Sequence, residues 1–389
     1  MVNILKVTKG VHPVELTCDE QGIRIEGDFN ASQKLKKQII CCCIPVTNGK
    51  GPDPTLLPID HVYILYAHYI QRTKMIQFHF VLPENRTDND STADLYELGY
   101  SVPDDKVVEA EAFCEEVMSQ AYRNIKLHKR LLILINPFGG QSKAKEIFEY
   151  HVRPIFQAAK CEVTVKYTQR QGHAIQIAKE LDPTAYDAVV TVSGDGIIHE
   201  LINGFLSRPD GKEIIKNVPL GIIPGGTNNS FIISILGEKR GFDPVYTAFQ
   251  VVKGTPNTYY SFLSQNYGIT SYADLGTEHM RWMGDTRTVI GVLQEIFSRH
   301  TYGIEAAIQL VETDKKKIIA NYQSQKKMVN ETEEIPALSE PVPEDWMVVK
   351  GNVSLFLASK VPLLARGMLS HPCAMPDDGA IDIMMRHCK

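Results

Sequence analysis

No stretch of this 389-residue chain approaches the run of roughly 18 or more apolar residues that a membrane span requires. The opening Met1-Val2-Asn3-Ile4-Leu5-Lys6 has no basic region leading into an apolar core, so it does not read as a signal peptide. Val2 in place of glycine speaks against N-myristoylation, and Arg386-His387-Cys388-Lys389 is not a prenylation box. The eight cysteines have no regular spacing and no Cys-x-x-Cys pair, which excludes the usual zinc and disulfide frameworks and fits reduced thiols in the cytoplasm. A strong charge is also missing. The net charge of −5 argues against attraction of the whole protein to nucleic acid. No internal repeat is found.

Three composition regimes set the expected domains at residues 1–125, 126–256 and 257–389. In the first, Val14 to Thr17 and Ile23 to Glu26 alternate apolar and polar residues around Asp19-Glu20-Gln21-Gly22, which predicts a hairpin. Strands are expected near Lys37 to Ile44, Val62 to Ala67 and Met75 to Val81, a loop over 84–92, and a helix from Asp105 to Asn124. This describes a small β-rich domain closed by a helix, of the pleckstrin-homology type. Cys41-Cys42-Cys43, set between Ile39, Ile40 and Ile44, reads as part of a buried strand; reversible palmitoylation is the other reading.

The second regime alternates apolar runs with helical patterns. Leu131 to Ile135, Ala188 to Val192 and Leu220 to Ile223 have the continuous apolar composition of buried parallel strands. Cys161 to Tyr167 is a further strand. Helices are expected over Lys143 to Ala159, Gly172 to Leu181 and Ile197 to Leu206, and from near Asn228. The fold class is therefore α/β: a three-layer parallel-sheet domain, an antiparallel β-rich domain after it, and the small β-rich domain before it. The third regime contains a polar, proline-bearing insertion over 323–345 that cannot bury enough to order itself. Ile290, Val292, Leu293, Ile296 and Phe297 form an apolar helix face, which serves either a lipid pocket or ordinary core.

Each of three apolar strands runs into a glycine-containing turn. They read Asn136-Pro137-Phe138-Gly139-Gly140-Gln141-Ser142-Lys143, Ser193-Gly194-Asp195-Gly196 and Pro224-Gly225-Gly226-Thr227-Asn228-Asn229. One such turn is only a tight corner. Three at one end of a sheet predict a rim of backbone N–H groups at helix N-termini, suited to phosphates. Asp195 would add a carboxylate that holds Mg²⁺ or accepts a hydroxyl proton. Capping the following helix is the alternative, and spacing alone leaves the two even.

Asn-Pro-x-Gly-Gly, Ser-Gly-Asp-Gly-x-x-His-Glu and Pro-x-Gly-Thr-x-Asn, in this order, resemble the catalytic domain of the diacylglycerol kinase superfamily. Ser193 to Glu200 with Asn203-Gly204 is similar to the sphingosine kinases. Phe262 to Gly268, Glu278 to Gly284, Trp346 and Asp377 to Asp382 resemble fungal long-chain-base kinases. The resemblance implies ATP and Mg²⁺ as cofactors, a sphingoid base as substrate and peripheral contact with internal or plasma membranes. It implies Asp195 as general base, in a substrate-contacting loop of Ser193, Gly194 and Gly196. Asn136, Pro137, Phe138, Thr168, Gln169, Arg170, Gln171, Gly172, Glu200, Gly226, Thr227, Asn228, Arg281 and Arg287 would surround the nucleotide, and Asp274 would receive the amine of the base. The bland alternatives are solvated surface for the arginines, a turn for Asp274, and capping or packing for His199 and Glu200.

Four features depart from the family pattern. Asn228 and Ser142 stand where glycine is usual, and Tyr272 replaces an acidic residue near Asp274. Beyond Asp382 the family continues to an Asp-Gly-Glu element near the nucleotide, whereas this sequence ends at Lys389. The rival readings are a diacylglycerol or ceramide kinase and a catalytically silent scaffold. Oligomeric state is left open.

Overall fold

A computed structural model describes residues 3–27, 32–33, 58–83, 93–139, 142–226, 229–236, 250–253, 258–283, 286–325, 336, 340–365 and 367–388. The chain divides into two compact units. One comprises residues 1–132, 146–164 and 185–188, the other 133–145, 165–184 and 189–389.

In the first unit, strands β1 (Asn3–Lys9), β2 (His12–Asp19), β3 (Gly22–Glu26), β4 (Ser32–Gln33), β5 (Ile64–Ile70), β6 (Met75–Pro83) and β7 (Ala93–Ser101) form an antiparallel sheet ordered β3-β2-β1-β7-β6-β5, with β4 on β7. Alternation makes the layer: Val14, Leu16 and Cys18 of β2 are buried while their neighbours are not. The expected hairpin forms, with Asp19 opposite Gly22. Helix α1 (Val107–Tyr122) closes the sheet with Ala110, Phe113, Cys114 and Val117, and Phe113 meets Phe78 edge-on. The strand expected at Lys37 to Ile44, with its three cysteines, and the loop at 84–92 lie outside the described residues.

Strands β8 (Arg130–Ile135), β9 (Glu162–Tyr167), β10 (Ala188–Ser193) and β11 (Leu220–Pro224) form a second sheet, ordered β11-β10-β8-β9. β10 and β11 are parallel. The others follow the same direction, because bonds link strand starts (Glu162 N–H to Lys129 O, Asp187 N–H to Arg130 O) and strand ends (Asn136 N–H to Val192 O, Thr168 N–H to Ile135 O). Leu131 to Ile135 and Val189 to Val192 are buried as their apolar runs predict, whereas Leu220 to Ile223, on the end strand β11 of this sheet order, are half-buried. The helix expected over Lys143 to Ala159 is instead α2 (Ala144–Ile147), a wider π turn at Phe148–Val152, and α3 (Arg153–Ala158). Pro154, second residue of α3, directly follows the π turn, where a proline interrupts the regular α-helical bonds. Helices α4 (His173–Glu180), α5 (Asp195–Leu206), α6 (Gly211–Asn217) and α7 (Ser230–Leu236) follow. A Cβ on Gly204 would sit 2.6 Å from Ala178 Cβ and 2.7 Å from Ile175 O, so α4 and α5 pack backbone against backbone there.

The last regime holds β12 (Gln250–Lys253), β13 (Thr258–Ser261), β14 (Ser264–Gly268), helices α8 (Ile269–Gly276) and α9 (Thr286–Ser298), β15 (Tyr302–Ile308), α10 (Lys315–Gln323), β16 (Met347–Ser359), β17 (Leu363–Ala365), β18 (Met368–Leu369) and β19 (Asp382–His387). β14, β15 and β19 pair antiparallel with β16. The insertion begins later than expected, since Gln323 ends α10; residues 326–335 and 337–339 lie outside the described residues. Asn203 ties α5 to β13: its amide donates to Tyr260 O at 2.9 Å and accepts from Tyr260 N–H at 2.8 Å.

Candidate active site

The three glycine turns gather at the carboxyl end of the parallel sheet, where ligands of such sheets bind. Gly225 N–H donates to Ser193 O at 3.0 Å, joining the second and third turns. The turns also touch directly: a Cβ on Gly226 would lie 2.3 Å from Gly194 Cα, a distance no side-bearing residue tolerates. In the first turn, the Asn136 carboxamide accepts the Phe138 N–H at 3.0 Å, leaving the Phe138 ring largely exposed. Ser142, expected as a departure from glycine, has φ of 60°, the left-handed backbone that glycine would adopt freely. Thr227, Asn228 and the side chain of Arg281 lie outside the described residues.

Asp195 is the first residue of α5, yet its carboxylate does not cap that helix. It caps α7 instead. Oδ2 accepts the Ser230 N–H at 2.7 Å and Oδ1 accepts the Phe231 N–H at 3.1 Å. Burial raises its pKa, and the N–H groups of Phe231 and Ser230 oppose the shift without cancelling it. Glu200, one turn on, does the same for α4. Its oxygens accept the N–H groups of Gly172 and Ala174 at 2.9 and 3.0 Å. Gly172 enters α4 at φ of 79°.

These bonds correct the expected rim of free backbone donors. The N–H groups of Gly172, Ala174, Ser230 and Phe231 are taken by carboxylates, and that of Gly226 by Asn229 Oδ1 at 3.0 Å. The physical reason is that α5 carries acids to the N-termini of α4 and α7, where the helix dipole favours negative charge. At the start of α5 itself, Gly194 provides no side-chain cap and the space around Gly196 is open. That N-terminus keeps its backbone N–H groups without a side-chain cap from Gly194.

Other expected contacts also shift. Ser193 is fully buried and its hydroxyl donates to Gly194 O at 2.8 Å, so the side chain shapes the turn. Thr168 is buried, Gln169 N–H donates to His173 Nδ1 at 3.0 Å, Arg170 donates to Gln176 at 3.1 Å, and Gln171 is exposed. His199 is half-buried beside the Asn203 amide, and burial lowers its pKa, in keeping with packing. Sequence reasoning passed over Asn229, whose φ of 49° and side-chain bonds to Gly226 close the third turn. The last Asn of Pro-x-Gly-Thr-x-Asn was the available signal.

Asp274 and Arg287 are brought together on α8 and α9, bonded to each other: Nη2 of Arg287 reaches Asp274 Oδ1 at 2.5 Å. The stripe read as pocket or core is only partly buried. Leu293, Ile296 and Phe297 are 48, 53 and 82% exposed, as is the neighbouring Val289 at 59%, whereas Ile290 and Val292 are half-buried. α9 packs through its other side, where a Cβ on Gly291 would lie 2.6 Å from Ala273 O.

The family profile of the diacylglycerol kinase catalytic domain matches residues 130–259, the segment that holds all three turns. Sphingoid long chain base kinase 4 of Schizosaccharomyces pombe is 34% identical over 301 residues, 73% of this chain and 65% of that protein. Sphingoid long chain base kinase 5 of Saccharomyces cerevisiae is 26% identical over 80% of this chain and 57% of its own length. Human sphingosine kinase 1 is 29% identical over 57% of this chain and 62% of its own. The chain thus spans less than two thirds of each. A solved diacylglycerol kinase from Bacillus anthracis has a TM-score of 0.39 and 18% identity, covering 67% of this chain and 77% of that one. Residues 130–259 of this chain match the diacylglycerol kinase catalytic domain, and the chain is similar to the sphingoid long-chain-base and sphingosine kinases.

Proposed function

We propose that this protein transfers the γ-phosphoryl group of ATP to the primary hydroxyl of a sphingoid long-chain base, giving the 1-phosphate. The observation that carries the reading is the Asp195 carboxylate, half-buried and fixed by two backbone N–H groups beside the open start of α5. Each carboxylate oxygen keeps a further lone pair. A group so held can accept a proton without first reorganising. The hydroxyl proton passes to Asp195 as the substrate oxygen bonds the γ-phosphorus; the bond from that phosphorus to the β–γ bridging oxygen breaks, and ADP leaves.

The uncapped N-terminus of α5 with Gly194 and Gly196 would meet the phosphates, joined by Gly226, Thr227 and Asn228. Asn136, Pro137 and Phe138, with the segment from Thr168 to Gly172, would flank the rest of the nucleotide. Glu200 holds that segment through Gly172 and Ala174 and so acts as a positioning residue. Among the described residues no three His, Cys, Asp or Glu side chains converge as a metal cage. Mg²⁺ commonly binds through one or two carboxylates and the phosphates themselves; it would neutralise phosphate charge. Arg281 and Arg287 would add to that neutralisation, and Asp274 would receive the amine.

The exposed apolar stripe of α9 supports peripheral contact with a membrane, where the lipid substrate resides. Among the described residues no helix is long and apolar enough to cross one. The proposed setting is the cytoplasm, with visits to internal or plasma membranes. The test is incubation with ATP and Mg²⁺ and, separately, sphingosine, dihydrosphingosine, ceramide or diacylglycerol. Phosphorylation of the two free bases is expected. Product only from diacylglycerol or ceramide, or from no lipid at all, would overturn the reading.

A further inference from the structure

The side chains proposed for two different ligands, Asp274 for an amine and Arg287 for phosphates, satisfy each other in the structure. Besides the 2.5 Å contact to Asp274 Oδ1, the guanidinium donates to Asp274 O at 3.0 Å and to Thr277 Oγ1 at 3.3 Å, with Glu278 Oε2 at 3.6 Å. Arg287 is only 11% exposed, whereas Asp274 is 58% exposed, so an incoming cation can reach the carboxylate while the guanidinium is covered. The helices beneath are locked. Ala273 and Thr277 are buried, and Gly291 admits no Cβ against them. Any rearrangement is therefore one of side chains.

Resting on the function proposed above, we infer that the Asp274–Arg287 pair is a latch that couples the two ligands. A primary ammonium arriving at Asp274 repels Arg287 and weakens its ion pair. The released guanidinium turns to the phosphates, which its rigid fork suits. A lipid with a neutral head group leaves the pair closed. Base and nucleotide then strengthen each other's binding reciprocally. Specificity for a cationic base arises from the coupling as well as from direct contact.

Calorimetry with a non-hydrolysable ATP analogue and Mg²⁺ tests this, using the full chain in detergent micelles. Sphingosine should tighten analogue binding by about 5-fold or more, within the usual range of such couplings, and ceramide should not. Asp274→Asn should bind the analogue tightly without lipid and ignore sphingosine. In an Arg287→Met background the same substitution should give no gain. A gain that persists there would mean simple removal of charge, and D274N with lowered melting but unchanged analogue affinity would mean a structural pair; either outcome overturns the latch. Absence of analogue binding by the wild type would overturn the kinase reading and the latch together.

Discussion

Helix α5 and the α8–α9 pair each bring acids to the proposed site, but they hold them differently. On α5, Asp195 and Glu200 are bonded to backbone N–H groups of α7 and α4. On α8, Asp274 is bonded to the side chain of Arg287. A backbone partner cannot rotate away, so the first pair fixes geometry. A side-chain partner at a half-open surface can rotate and be exchanged. The difference suits a fixed base and a responsive recognition group. The two regions also differ in packing: α5 contributes Ile198 and Ile202 to a buried cluster with Phe231 and Phe262, while α9 turns apolar residues outward.

Substitutions can break or sharpen this contrast. The largest effect is expected at Asp195→Asn, which should lower turnover by about 10²- to 10⁴-fold, the usual contribution of a general base. The new amide also places a donor against the N-terminus of α7, so melting should fall as well. Loss of both separates this residue from an ordinary cap. Glu200→Ala should destabilise by roughly 1–3 kcal/mol, since two buried N–H groups lose a charged acceptor. It should raise the KM for ATP more than it lowers kcat; equal loss in both would contradict a positioning role.

Gly204→Ala should cost about 1–3 kcal/mol by overpacking α4 against α5, read by denaturant unfolding. On α9 the sign of the contrast reverses. Leu293→Ser with Phe297→Ser should leave melting nearly unchanged and reduce sedimentation with lipid vesicles; a large drop in melting would show that the stripe is core. The smallest effect is expected at Asp187, whose carboxylate accepts the Arg130 N–H and binds Lys126 and Arg130. Those partners hold its pKa well below 3.8, the ordinary value. Its folded pKa lies below the unfolded one, so its contribution is present above pH 3.8 and is lost as pH falls below it. Asp187→Asn should therefore lower melting near neutrality and make no difference in strong acid.

The parallel sheet was legible because buried strands such as Leu131 to Ile135 are unbroken apolar runs ending in glycine turns. β7 was not. Leu95 and Tyr96 are buried in succession and Asp94, Glu97 and Gly99 intervene, so no simple alternation shows. Helix α10 was hidden in a polar stretch because it buries no residue and stands on its Asp314 cap. Within the site, the residue types of the turns were readable, but their hydrogen bonds were not. Asp195 reaches Ser230, 35 positions on, and Glu200 reaches back 28 positions to Gly172. Bonds to backbone across such separations leave no pattern in the sequence, and the expectation of free N–H donors failed for that reason.

The central claim is that Asp195 is a base whose strength is set by its burial against α7. The most direct measurement is the pH dependence of phosphoryl transfer from ATP to sphingosine by the wild type, with D195N beside it. Asp195 must be ionised to accept the proton, so wild-type activity should fall with acid through a pKa above 3.8, the ordinary value for the group. D195N, still binding the nucleotide, should give almost no product at any pH. Wild-type rates from D195N, or a wild-type acid limb at or below the ordinary carboxylate value, would contradict the account.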